Sequence, residues 1–104
     1  MNWVPITKEE LEKEIEAQCS ELSQEELSYF NKIRIPLESV KIERWGNLES
    51  VFIVAKKGAT IIFYEGVEEG FEITILNEQG IISEYGANQF TIQHVTNQLR
   101  ASNS

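Results

Sequence analysis

The sequence predicts an α+β fold in one domain: two N-terminal helices, an antiparallel sheet of four or five strands and a C-terminal helix. Three observations predict it. Two helix-capping signatures lie in the first third of the chain. After residue 38 the spacing of apolar side chains changes from a period of about 3.6 to one of 2. The last stretch can again be scored as a helix with one apolar side. At 104 residues, folding removes roughly 60–70% of the surface an unfolded chain exposes, which allows one modest core. Residues 1–104 are therefore read as a single domain, with helices segregated on one face of the sheet.

The first helix is announced by Thr7-x-x-Glu10, a capping box in which hydroxyl and carboxylate each satisfy a backbone N–H of the opening turn. Ile6 and Leu11 stand in hydrophobic-staple positions around it. The same grammar recurs at Ser23-x-x-Glu26 with Leu22 and Leu27. Leu11, Ile15 and Leu22 share one stripe with Cys19 at its margin, and Glu9, Glu12, Lys13 and Glu16 point away. In the second helix Leu27, Phe30 and Ile33 or Arg34 continue a stripe, which Pro36 is expected to stop.

Val40 and Ile42 alternate with Lys41 and Glu43, as in a strand wet on one face, and Gly46-Asn47 reads as the following turn. Val51 to Ala55 is continuously apolar, the pattern of a central strand covered on both faces or of a strand pressed against the helices. Lys56-Lys57-Gly58-Ala59 links it to Thr60–Tyr64 in a hairpin. Phe71, Ile73 and Ile75 then alternate with Glu72, Thr74 and Leu76. Asn77-Glu78-Gln79-Gly80 turns the chain into a candidate fifth strand from Ile81 to Tyr85. In the tail Asn88 is a candidate cap for a helix carrying Ile92, Val95 and Leu99, although its β-branched residues also fit a strand.

Seventeen glutamates, no aspartate and nine Lys plus Arg give a net charge of −8. The acidity sits at both ends: residues 1–34 carry eight Glu and four Lys/Arg, residues 35–60 three and four, and residues 61–104 six and one. Nucleic acid is excluded as a partner, because phosphate binding draws on clustered Lys and Arg. No apolar run approaches the ~20 residues that span a bilayer, so no membrane association is expected. One thiol, Cys19, forms no internal disulfide and fits a reduced, cytoplasmic setting; it reads as a packing residue at the core edge.

The chain lacks the common catalytic and phosphate-binding motifs. There is one histidine, His94, no Gly-x-Ser-x-Gly elbow and no phosphate-cradling Gly-rich loop. One His and one Cys cannot make a His-rich metal site. No catalytic residue, metal or cofactor is assigned. The segment Tyr64-Glu65-Gly66-Val67-Glu68-Glu69-Gly70-Phe71-Glu72 instead reads as an acidic recognition loop. Glu65, Glu68, Glu69 and Glu72 would attract a basic partner, and Tyr64 and Phe71 would supply anchor area. The competing reading is a solvated bend whose charges discourage edge aggregation. Trp3 and Trp45 flank elements and suit either.

Tyr64-x-x-Val67-Glu68-x-Gly70-Phe71, followed by Gly80-Ile81-Ile82-x-Glu84-Tyr85 and Asn88-Gln89, resembles a family of small uncharacterised bacterial proteins. Trp3-Val4-Pro5-Ile6 and Ile33-Arg34-Ile35 match that family's opening Trp-x-Pro-Ile element and its Ile-Arg-Ile stretch. The resemblance covers nearly the whole chain and implies no activity. This chain has Gly66 and Glu69 where members tend to have Asp, and Gly86 where they have an aromatic.

Three functional readings follow. The first is a non-enzymatic acidic binding protein, in its most concrete form an immunity-type inhibitor of a basic toxin such as a nuclease. The second is a small-ligand domain or minor enzyme with Tyr64, Tyr85, Asn88 and Gln89 around a pocket between helices and sheet. The third is a subunit that self-associates through a spare sheet face.

Overall fold

The computed structural model describes residues 6–66, 69–85 and 90–102. Its elements run α1 (Lys8–Cys19), α2 (Gln24–Ile33), β1 (Arg34–Arg44), β2 (Asn47–Lys57), β3 (Thr60–Glu65), β4 (Gly70–Ile75) and α3 (Ile92–Ser102). The four strands form an antiparallel sheet in sequential order, so the α+β prediction holds with four strands.

Both capping boxes form as their spacing requires: Thr7 and Glu10, then Ser23 and Glu26, exchange side-chain and backbone hydrogen bonds. Helix α2 ends at Ile33, and the chain enters β1 at once, so Pro36 lies inside a strand instead of closing a helix. Strand pairing is irregular between Arg34 and Glu38, which accommodates a residue with no N–H to give. The third helix starts later than the Asn88 cap would place it. Thr91 caps it, its hydroxyl accepting the His94 N–H at 3.1 Å; Asn88 itself lies outside the described residues.

Alternation divides the sheet's side chains between two cores. On one face Val54, Ala55, Ile62 and Phe71 pack with Leu11, Ile15, Phe30, Ile92 and Val95 of the helices. On the other, Ile42, Ile53, Ile61 and Phe63 form a second buried cluster with Ile82. This second cluster corrects the expectation of a spare sheet face through which the subunit would self-associate. Residues 76–85 cross it as a strap, with Leu76 and Tyr85 packed on the cluster. Ile82 is fixed to the outer edge of β1, donating to the Lys41 carbonyl and accepting from the Glu43 N–H at 2.9 and 2.8 Å. The expected fifth strand is thus one parallel bridge. The outer edge of β4 is partly covered as well, by a hydrogen bond from Phe71 N–H to the Phe90 carbonyl.

Buried polar groups tie the helices together. Glu26 of α2 accepts from Gln93 and Asn97 of α3. The Ser23 backbone N–H, with Asn97 and Gln93, holds its carboxyl at a pKa of about 2. Cys19 is buried, and burial pushes its thiol up, as suits a packing residue.

Candidate functional site

Strand β2 has eleven residues and β3 six, and the mismatch opens the sheet at one end. The two pair from Lys57↔Thr60 to Ile53↔Phe63, with an irregularity between Ile53 and Ala55 of the kind that increases local twist. Among the described residues no further pairing between them is formed beyond Phe63, and residues 47–52 of β2 pair with β1 alone. The strands part around a cleft of about 440 Å³. Residues 49–52 form one wall, Tyr64 and Gly66 the other, and Ile6 and Arg44 complete the lining.

Arg44 organises this end. Its guanidinium donates both terminal N–H groups to Glu65 at 3.0 and 2.9 Å, and Nε donates to Glu49 at 3.0 Å. Arg44 and Glu65 are 5% and 1% exposed, so this is an interior, bidentate pair. Burial pushes the guanidinium pKa down, but Glu65 and then Glu49 more than offset it, and the net shift is upward. The rings of Trp45 and Tyr85 each lie within 6 Å of the guanidinium, at 5.8 and 5.5 Å. Tyr85 also donates its hydroxyl to the Glu43 carbonyl.

The adjoining hairpin turn is formed by Trp45 and Gly46, with φ of +51° and +80°, one residue earlier than the Gly46-Asn47 turn expected. Positive φ at both central residues is the type I′ pattern, which favours Asn, Asp or Gly. Trp45 occupies the first position and is 83% exposed; Leu48 beside it is 55% exposed. A large aromatic in the left-handed region is a backbone outlier, and its side chain is not buried in return.

The cleft rim is acidic. Tyr64 has its hydroxyl pushed up by burial, with Glu69 and Glu14 adding to the shift. Glu69 is exposed, itself at φ +56°, and Glu49 is part-exposed.

The acidic recognition loop needs correction. Of its six proposed members, Glu65 is inside against Arg44, Phe71 is fully buried in the helix-side core, and Glu72 is 3% exposed on the strap side. Strands β3 and β4 run deeper into the acidic string than its charge suggests, so alternation turns these side chains inward. Tyr64 lines the cleft and meets Phe71 edge to face at 5.2 Å. Glu69 remains on the surface, and Glu68 lies outside the described residues. The alternative pocket is also not assembled. Tyr64 packs on the helix side and Tyr85 on the strap side, with the sheet between them; Asn88 and Gln89 lie outside the described residues. His94 is exposed and stacks on Phe90 at 4.1 Å.

Sequence reasoning missed Arg44, the Trp45 turn and the cleft wall. The signal for the turn was Trp-Gly between two alternating segments; nothing local signalled that Arg44 meets Glu65. Among the described residues no cluster of His, Cys, Asp or Glu could hold a metal, and no helix is long and apolar enough to cross a membrane. No protein-family model matches the chain, and neither the curated proteins nor the solved structures gave a match. The roles assigned to these residues therefore rest on geometry and chemistry.

Proposed function

We propose that this protein is a non-enzymatic binding protein whose docking surface is the open end of the sheet: the Trp45 turn, Leu48 and the apolar cleft with its acidic rim. The observation that carries the reading is Trp45, held in a left-handed conformation with most of its ring in solvent. Backbone strain that no packing compensates is concentrated at working surfaces, and an exposed Trp is a common anchor in interfaces. The buried Arg44–Glu65 pair adjoins the turn, with its guanidinium 5.8 Å from the ring.

The partner class is a basic protein. Twelve of the described glutamates are exposed, and a net charge of −8 steers a cationic surface toward the molecule. Glu69 and Glu14 extend part of that charge to Tyr64 of the cleft wall. An inhibitor of a basic enzyme, such as a nuclease toxin, is the form of this reading that uses both acidity and anchor.

Capture from the producing cell's extract tests it. The native protein should retain a basic protein, less of it as salt rises, and Trp45→Ala with Leu48→Ala should lose it while keeping the native circular dichroism. Equal retention by both would place docking elsewhere and refute the reading.

A further inference from the structure

The geometry points to strand addition: the cleft between β2 and β3 is a slot for one extended segment of the basic partner, carrying apolar side chains with Lys or Arg at its ends. This rests on the binding reading and specifies its mode. In an antiparallel pair alternate residues direct their N–H and C=O groups toward the partner strand and away from it. Arg44 and Asn47 close the two-residue turn as a paired position. Asn47, Glu49 and Val51 therefore face β1, whereas Leu48 and Ser50 turn their backbone groups outward. The outward sense of the alternate set on β1 is visible directly, since Lys41 and Glu43 use theirs on Ile82. On the side of Leu48 and Ser50 that faces away from β1, no strand pairs among the described residues.

An open strand edge is a template for another extended chain, and adding a strand draws affinity from the main chain and selectivity from pockets for alternate side chains. Both parts are present. Phe52, Tyr64 and Ile6 give the cleft apolar walls on the helix side. Glu49 lines it, bonded to Arg44 Nε, and the charges of Glu69 and Glu14 act on Tyr64 of its wall, which selects cationic flanks. The other sheet edges are less open, because Ile82 bridges β1 and Phe90 bridges β4.

A phage library of random linear heptapeptides, selected on the full chain, supplies the probe. Selected peptides should alternate β-branched or aromatic residues with polar ones and carry Lys or Arg near the ends. N-methylation of every second amide in one register should weaken the best peptide at least tenfold, and in the other register less than threefold. Ser50→Pro, which removes an outward N–H without touching a backbone bond to β1 and gives up only the exposed side-chain bond from Lys41 Nζ, should weaken it similarly; the methylated peptides give the same answer if that variant fails to fold. Three results would overturn the slot: no peptide selected, equal affinity in both methylation registers, or selection of helical or proline-rich sequences. If such peptides are nevertheless lost on Trp45→Ala, the docking surface stands and only its mode is wrong; if Trp45→Ala leaves them bound, the surface falls too. A dimer in sedimentation that Ser50→Pro dissociates would assign the slot to a second copy, and a gain in peptide affinity on Trp3→Ala would assign it to this chain's own first residues. Either would overturn the assignment to a partner.

Discussion

The two hairpin turns at opposite ends of β2 solve one steric problem differently. At the β2–β3 turn Gly58 takes the positive φ of +61°, and the flanking Lys57 reaches the α3 carbonyl of Leu99 through Nζ at 3.2 Å. At the β1–β2 turn Gly46 takes one left-handed position, but Trp45 takes the other with its ring in solvent. The first turn follows conformational preference and is stitched to a helix. The second departs from preference beside an open cleft. On the proposed docking reading, the first turn serves stability and the second is kept for contact with a partner.

The comparison can be broken most forcefully at the buried pair adjoining the Trp45 turn. Glu65→Ala would leave Arg44 buried with only Glu49, and removing one partner of an interior pair costs roughly 3–5 kcal/mol. Urea unfolding should show that loss; a change under about 1 kcal/mol would mean that the pair is not closed to water.

The helix layer gives a contrasting response to acid. Glu26 has its folded pKa lowered from 4.5 to about 2, so its contribution is fully present above pH 4.5 and is lost as pH falls through the folded value. The urea midpoint should therefore drop between pH 5 and 2, and Glu26→Gln should flatten that dependence. An unchanged slope in the variant would assign the acid sensitivity to other carboxylates.

Smaller effects sharpen the contrast between the turns. A Cβ built on Gly46 or Gly58 meets nothing within 4 Å, so Gly→Ala at either should cost only the left-handed backbone term, about 1–2 kcal/mol. Equal losses in thermal or urea unfolding would show that both turns demand the same conformation. Trp45→Asn should then leave stability unchanged or raise it by up to about 1 kcal/mol, because Asn tolerates positive φ and the contact it loses, at 5.8 Å from a buried guanidinium to a ring mostly in solvent, is worth about 0.5–1 kcal/mol.

The helices were legible because caps and staples are local: Thr7 with Glu10 and Ser23 with Glu26 lie three residues apart. The sheet was legible in outline from the hairpin joining the apolar run Val51–Ala55 to Thr60–Tyr64 and from the alternation of Phe71–Ile75. Long-range pairings were not. The Glu65 carboxylate is buried because a guanidinium 21 residues earlier meets it, and no window around Glu65 contains that fact. The strap was hidden for the same reason. Ile81 to Tyr85 alternates like a strand, but only the position of β1 determines that Ile82 makes a single bridge. The Trp45 turn was displaced by one residue because Gly46-Asn47 is the better turn by composition. That displacement concealed the site, since it left Trp45 as an ordinary strand end.

The most direct measurement pairs two readouts on Trp45→Asn: unfolding free energy in urea, and affinity for the basic protein retained by the native chain. Stability equal to or above native, with affinity at least tenfold weaker, is the predicted result. Native affinity, or a loss of stability large enough to explain weaker binding, would contradict the assignment of this turn to docking.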